Sequence, residues 1–291
     1  MKSLKTPLRY PGGKSRACTK MECYFPDLRE YREYREPFIG GGSVALFIAK
    51  KFPNLEIWVN DLYEPLINFW KQLQWNGDLL ASRLIQLKGE YPDPTEEQRK
   101  DNEFKYSALS LFEQSKDIIN DYEYDAADRA VAFYVVNKCS FSGLTESSSF
   151  SRQASISNFS LRGIEKLPKY QEIIENWKIT NQSYEDLLTD WRGAFLYLDP
   201  PYDIKDNLYG KKGEMHKKFD HDKFAHECDR FACDQLISYN SNQLVKDRFK
   251  GWNAGEFDLT YTMRSVGDYM MDQEKRKELL LFNYTLTTIH E

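Results

Sequence analysis

The stretch that most constrains the fold runs from Tyr31 to Asp61, YREYREPFIGGGSVALFIAKKFPNLEIWVND. A short strand is expected to end near Phe38 and Ile39. Gly40, Gly41 and Gly42 then turn the chain, and Ser43 is a candidate N-cap for a helix carrying Val44, Leu46, Phe47 and Ile48. EIWVND, residues 56–61, reads as a second strand that ends in an acid. Strand, glycine turn, helix, strand and terminal acid over about twenty residues is the grammar of a nucleotide-binding α/β unit. The strict G-x-G-x-x-G fingerprint is missing, which disfavours a nicotinamide oxidoreductase.

The remainder of the chain places this unit in a larger α/β fold. From Glu64 to about Lys169, EPLINFWKQLQW, LLASRLIQLKGEY, EEQRKDNEFKYSALSLFEQS and DAADRAVAFYVVNKCSF all carry helical periodicity. A serine-rich run follows, ESSSFSRQASISNFSLRG, which reads as a flexible linker except that Phe150, Arg152, Phe159 and Arg162 interrupt it. The α/β pattern then returns with WKITNQSYEDLL, a strand and turn, and with buried strands in GAFLYLDPPYD, QLISYNS (235–241) and KELLLFNYTL (277–286). The expected architecture is a Rossmann-like α/β catalytic domain made of residues 1–63 and 170–291. A mostly helical insert, 64–169, interrupts it.

The N-terminal PLRYPGGKSRA looks at first like a phosphate loop, but that pattern needs a glycine five residues before the Gly-Lys pair, where Leu8 stands. Residues 1–35 hold nine Lys or Arg against four acids within a chain of net charge −5. That excess fits either a solvated face or a local nucleic-acid groove, while the overall charge argues against non-specific coating of nucleic acid. Five cysteines without framework spacing read as free thiols of a cytoplasmic chain. In HDKFAHECDRFAC, His221, His226, Cys228 and Cys233 lie close together, yet Phe224, Cys228 and Phe231 share a helical face, so packing is preferred to a zinc site. Neither a membrane span nor a signal peptide is expected.

YLDPPYD carries the chemistry. Asp199, Pro200, Pro201 and Tyr202 follow an apolar strand, where open α/β sheets bind their ligands, and two prolines fix the backbone. The bland alternative is a rigid turn with an incidental acid and aromatic. A carboxylate beside a proline carbonyl is suited to accept both hydrogens of an exocyclic amine such as adenine N6, aiming its lone pair at an electrophile. Tyr202 offers a face on which a base can stack. A duplex hides that geometry, so the target base would have to be flipped out.

At these residues the chain resembles the Dam-type DNA adenine N6-methyltransferases, over nearly its whole length and in the family's order: RYPGGK, EPFIGGGSV, VNDLYEPLINFW, NKCSFSGL, SYEDLL, YLDPPY and ELLLFNY. The resemblance implies S-adenosylmethionine as cofactor and double-stranded DNA as substrate, in a bacterial or phage-encoded enzyme. Tyr10 and Lys14 would contact the cofactor, although a DNA contact for Lys14 stays open. Glu36, Pro37, Phe38 and Gly40 to Gly42 would wall it, and Asp61 would hold its ribose hydroxyls. Asp199 would meet both target amine and cofactor, with Pro200 and Tyr202 completing the catalytic set. Arg9 would reach DNA. Arg152 and Arg162 are candidates for reading guanine edges, and Phe150 or Phe159 for wedging into the duplex.

FSGLTESSSFSRQASISNFSLRG departs from the family members that methylate GATC, so that site is not assigned. The basic run after the tetrapeptide, with Lys211, Lys212, Lys217 and Lys218, reads equally as a phosphate track or a solvated loop. Ser in place of the first Asp is typical of cytosine N4 enzymes and Asn of protein glutamine methylases. Asp199 therefore favours adenine over those acceptors, over RNA, and over a non-catalytic DNA-binding relative.

Overall fold

The computed structural model describes residues 5–10, 12–141, 143, 148–202, 219–258 and 277–286. Among these, seven strands form one sheet: β1 (Glu33–Glu36), β2 (Glu56–Asn60), β3 (Lys178–Thr180), β4 (Ala194–Leu198), β5 (Asp234–Asn240), β6 (Asn253–Asp258) and β7 (Lys277–Phe282), in the order β3-β2-β1-β4-β5-β7-β6. β1 to β5 pair in parallel. β7 runs antiparallel between β5 and β6. The strand order reverses between β1 and β4, so the crevice for a ligand opens at the carboxyl ends of these two neighbours.

The sheet is covered on both faces, as its parallel strands require. Every residue of β4 is buried, and alternate side chains serve different layers. Phe195 and Tyr197 join the core formed with Tyr34, Val59, Trp70 and Phe133. Ala194, Leu196 and Leu198 join the one formed with Phe224, Cys228, Val245 and Phe249.

The first face carries α1 (Cys18–Met21), α2 (Ser43–Lys51) and α3 (Glu64–Glu90). Between α3 and β3 follow α4 (Glu96–Lys100), α5 (Ser107–Ile118), α6 (Ala126–Cys139), α7 (Arg152–Ser157), α8 (Leu161–Ile164) and α9 (Leu167–Ile174). α3 packs along α6 and α9. It kinks at Asn76, whose φ of −139° leaves the helical region. The next residue, Gly77, lets α9 approach: an added Cβ would stand 2.7 Å from Gln171. α6 is buried almost all round because it lies between α3 and α5. The opposite face of the sheet carries α10 (His221–Arg230) and α11 (Gln243–Arg248). None of the described helices is long and apolar enough to cross a membrane.

Several expectations need correction. β1 stops at Glu36, short of Phe38 and Ile39. Ser43 does not cap α2; Gly42 does, at φ +68°, and the Ser43 hydroxyl instead meets that of Ser15 at 2.8 Å. The serine-rich run is not a linker, because Ser151 and Ser160 accept backbone bonds from Ala154 and Gly163 and cap α7 and α8. β6 is an additional edge strand, and the last strand ends at Phe282. In α10, Phe224 and Cys228 are buried, His226 points to solvent, and His221 Nδ1 lies 2.8 Å from the Tyr239 hydroxyl. His226 and Cys228 therefore face apart.

Candidate active site

The glycine loop after β1 is held from two sides. A Cβ on Gly40 would stand 2.8 Å from the Tyr10 ring, one on Gly41 2.9 Å from Tyr10 Cβ, and one on Gly42 2.6 Å from the Trp70 ring. Thr6 donates from its hydroxyl to the Gly41 carbonyl, and Trp70 Nε1 donates to the Gly40 carbonyl at 3.2 Å. Asp61, at the end of β2, completes the frame: Oδ2 accepts from Gly40 N at 3.1 Å and Oδ1 from Tyr63 N at 3.1 Å. Burial pushes the Asp61 carboxyl up to about 6, against the pull of those two N–H donors.

Around this loop, Glu36 is buried at the end of β1, and its Oε2 accepts from the Tyr34 hydroxyl at 2.7 Å. Burial holds its carboxyl well above the ordinary range, with the Asp199 charge adding to the effect and the Tyr34 bond opposing it. The Pro37 carbonyl accepts from Asn60 Nδ2 at 3.1 Å. Phe38 stacks on Tyr184 from the SYEDLL segment, with ring centroids 5.5 Å apart, and meets Phe219 and Phe224 edge-on.

Across the switch point, Asp199 follows β4 directly. Its oxygens accept from Lys14 Nζ at 2.9 and 2.8 Å, and Oδ1 accepts from Ser238 Oγ at 2.7 Å. Lys14 is buried and also stands 3.3 Å from Glu278 Oε1 on β7 and 4.9 Å from the centre of the Tyr202 ring. The Tyr202 hydroxyl donates to Glu278 Oε1. The N-terminal motif therefore reaches Asp199 as well as the glycine loop: Tyr10 packs on the loop, while Lys14 pairs with the acid of the tetrapeptide.

The expected DNA contacts fall in different places. Arg9 turns inward, and its guanidinium donates to the carbonyls of Ser140 and Phe141 at 2.6 and 3.1 Å. Arg152 is exposed, 5.2 Å from the Tyr106 ring, and donates to the Asn102 carbonyl at 2.8 Å. Arg162 is exposed on α8. Phe150 is half-buried against Tyr106 and Phe112. Phe159 corrects its expectation: it is 0% exposed, with Lys88 Nζ 4.8 Å above its ring, so it belongs to the core and is not a wedge. Lys211, Lys212, Lys217 and Lys218 lie outside the described residues.

Sequence reasoning missed Trp70, Asn137, Ser238 and Glu278. A signal existed for the last two, since an acid heading ELLLF and a serine inside QLISYN are polar residues in strands otherwise buried on both faces. Phe141, exposed beside the Arg9 guanidinium, was also passed over.

A parallel sheet with one inserted antiparallel strand, and a glycine loop facing an Asp-Pro-Pro-Tyr turn across the switch point, make this a Rossmann-like methyltransferase. Within that class the chain belongs to the D12 class N6 adenine-specific DNA methyltransferases, whose family model matches residues 10–263. It is 25% identical to the type II methyltransferase M.MjaIII of Methanocaldococcus jannaschii over 97% of this chain and 99% of that protein. It is 24% identical to the type II methyltransferase M1.LlaDCHI of Lactococcus lactis subsp. cremoris, over 97% and 96%. The type II methyltransferase M.CviBI of Paramecium bursaria Chlorella virus NC1A is 20% identical over 97% of this chain and its own full length.

Proposed function

We propose that this adenine N6-methyltransferase takes its methyl group from S-adenosylmethionine and places it on an adenine flipped out of duplex DNA at a specific site. The observation that carries the reading is the pairing of Asp199, at the end of β4, with the pinned Gly40–Gly42 loop, at the end of neighbouring β1. When bound, S-adenosylmethionine supplies a methyl group on a cationic sulfur.

The residues of the chain suit that cofactor. The Gly40–Gly42 backbone, bare of side chains and fixed by Tyr10 and Trp70, gives it a close surface. Asp61 presents a carboxylate to a ribose diol, and Glu36, Pro37 and Phe38 wall the same crevice. On the acceptor side, Asp199 and the Pro200 carbonyl accept the two N6 hydrogens and return electron density to the nitrogen, and Tyr202 stacks the base. Positioning and electrostatics supply the rate.

Residues 64–169, most of the helical segment between β2 and β3, are the proposed target-recognition part. Exposed Arg152, Arg162 and Phe141 support that assignment. Arg9 serves it indirectly, by holding the Ser140–Phe141 carbonyls. The cytoplasm, where cellular DNA lies, is the proposed place of action.

The test is transfer of labelled methyl from S-adenosylmethionine to duplex DNA, followed by digestion to nucleosides. N6-methyladenine is the expected product, in one sequence context when the DNA is read by single-molecule sequencing. No labelled N6-methyladenine on any duplex, whole genomic DNA included, overturns the reading. Asp199→Ala is expected to abolish transfer while the protein stays folded.

A further inference from the structure

The Asp199 carboxylate is engaged by the protein's own groups. Lys14 donates to both of its oxygens and Ser238 to Oδ1. An ionised carboxylate offers about four lone-pair sites, so these three bonds leave room on Oδ2 alone. An amine that docks on that site shares Oδ2 with the Lys14 ammonium. The ammonium also works against the chemistry, because N6 gains positive charge as its new bond forms, and a cation 2.8 Å from the stabilising acid opposes that charge.

Lys14 cannot leave Asp199 for water. It is 3% exposed, with the Tyr202 ring beside it. A buried ammonium that gives up one carboxylate needs another. Lys14 Nζ also donates to the neutral Gly12 carbonyl at 3.1 Å, and the charged alternative, Glu278, stands at 3.3 Å, itself 1% exposed. A move of about half an ångström brings Lys14 Nζ to the length of a charge-assisted bond with it. The same Glu278 oxygen accepts from the Tyr202 hydroxyl, which links the lysine's second partner to the ring proposed to stack the base.

We propose that Glu278 is a positioning residue of the methyl-transfer site. It draws the Lys14 ammonium off Asp199 as the target amine docks, and through the Tyr202 hydroxyl it ties that exchange to the arrival of the base. The inference rests on the roles proposed above for Asp199 and Tyr202.

Glu278→Gln tests it, because the amide carbonyl still accepts from Tyr202 while the charge that attracts Lys14 is gone. Single-turnover methylation of duplex DNA is expected to slow at least tenfold, with S-adenosylmethionine affinity by calorimetry unchanged. Adding Lys14→Met to Glu278→Gln removes the opposing charge and is expected to raise the rate at least threefold over Glu278→Gln alone. A merely structural role for Glu278 gives no such recovery.

If Glu278→Gln does not fold, Glu278→Asp carries the test. Its carboxylate is drawn back from Lys14, and Lys14→Met must accelerate it likewise. An active wild type with Glu278→Gln within twofold of it, or a double variant no faster than its single parent, overturns this proposal alone. A wild type that transfers no methyl group to any duplex overturns the functional reading, and this proposal with it.

Discussion

Asn137 grips the backbone of Arg9 with both ends of its amide: Oδ1 accepts from Arg9 N at 2.9 Å and Nδ2 donates to the Arg9 carbonyl at 2.6 Å. The same Nδ2 donates to the Gly143 carbonyl at 3.0 Å, and Asn137 is wholly buried. One side chain thereby joins the end of α6 to the segment whose next residue, Tyr10, packs on the glycine loop. Asn137→Ala takes a partner from three backbone groups, the part-buried Arg9 N–H and carbonyl and the buried Gly143 carbonyl. At about 1–3 kcal/mol for each group left unsatisfied, less what the chain recovers by shifting, it is expected to cost roughly 3 kcal/mol in urea unfolding. Because the clamp spans the proposed recognition part and the glycine loop proposed to hold the cofactor, the surviving folded fraction should lose affinity for both DNA and S-adenosylmethionine in separate binding titrations. Loss of DNA affinity alone argues against the coupling.

The glycine loop makes a sharper test. Gly42 has φ +68°, and an added Cβ would sit 2.6 Å from the Trp70 ring. The left-handed backbone alone costs a non-glycine residue about 1–2 kcal/mol, and the collision comes on top. Gly42→Ala is expected to lose at least about 2 kcal/mol of stability and to weaken S-adenosylmethionine binding by calorimetry. Gly251 is the control: at φ +108° it is conformationally strained for alanine, but nothing lies within 4 Å of the added atom. Gly251→Ala should lower the melting temperature without changing cofactor affinity. Equal cofactor affinities in the two variants would argue against the loop's role.

What could be read from the chain, and what could not, follows from the range of the signals. β4 and the turn after it were legible because five apolar residues and two prolines are local facts. The glycine loop was legible for the same reason. Glu278 was not, because its role arises only when β7 inserts beside β5 and brings it to Lys14, more than 260 positions away in the chain. β6, NAGEFD, lacks the apolar alternation of a strand; it pairs with β7, and its remaining ties come from distant residues, such as Lys20, which donates to the Asp258 carbonyl at 2.7 Å, and Lys246, which pairs with Glu256. Phe159 misled because it sits between two serine-capped short helices, where no periodicity reports which way a side chain points.

Asp61 gives a dependence on pH whose sign can be worked out. Its carboxyl is raised to about 6 by burial, from an ordinary value near 3.8. The folded protein therefore holds a proton that the unfolded chain releases between these values. The associated stability is fully present below pH about 4 and is lost as pH rises through about 6, a change of roughly 3 kcal/mol for two pKa units. Asp61→Asn does not titrate. The stability difference between variant and wild type in urea should move in the variant's favour by about that amount from pH 4 to pH 7. Cofactor binding should behave oppositely in the wild type, strengthening as Asp61 ionises through pH 6. A wild-type minus variant difference that stays flat with pH would show that Asp61 is not the titrating group.

Phe159 and Phe150 separate packing from recognition. Phe159 is fully buried under Lys88, whereas Phe150 is half-buried where Ser140 and Phe150 form an isolated bridge. Truncating a fully buried phenylalanine costs about 3–5 kcal/mol, so Phe159→Ala should show a large drop in unfolding free energy. Its folded fraction should keep the wild-type sequence preference. Phe150→Ala removes less buried surface and is expected to cost about 2 kcal/mol or less. Phe150, however, packs on Tyr106, the ring over which the exposed Arg152 guanidinium lies. Losing it frees that arginine's platform, and the expected effect is a raised KM for DNA at unchanged S-adenosylmethionine affinity. Reversal of the two outcomes, with Phe159→Ala altering the DNA preference and Phe150→Ala only the stability, would return Phe159 to the nucleic-acid surface that its burial denies it.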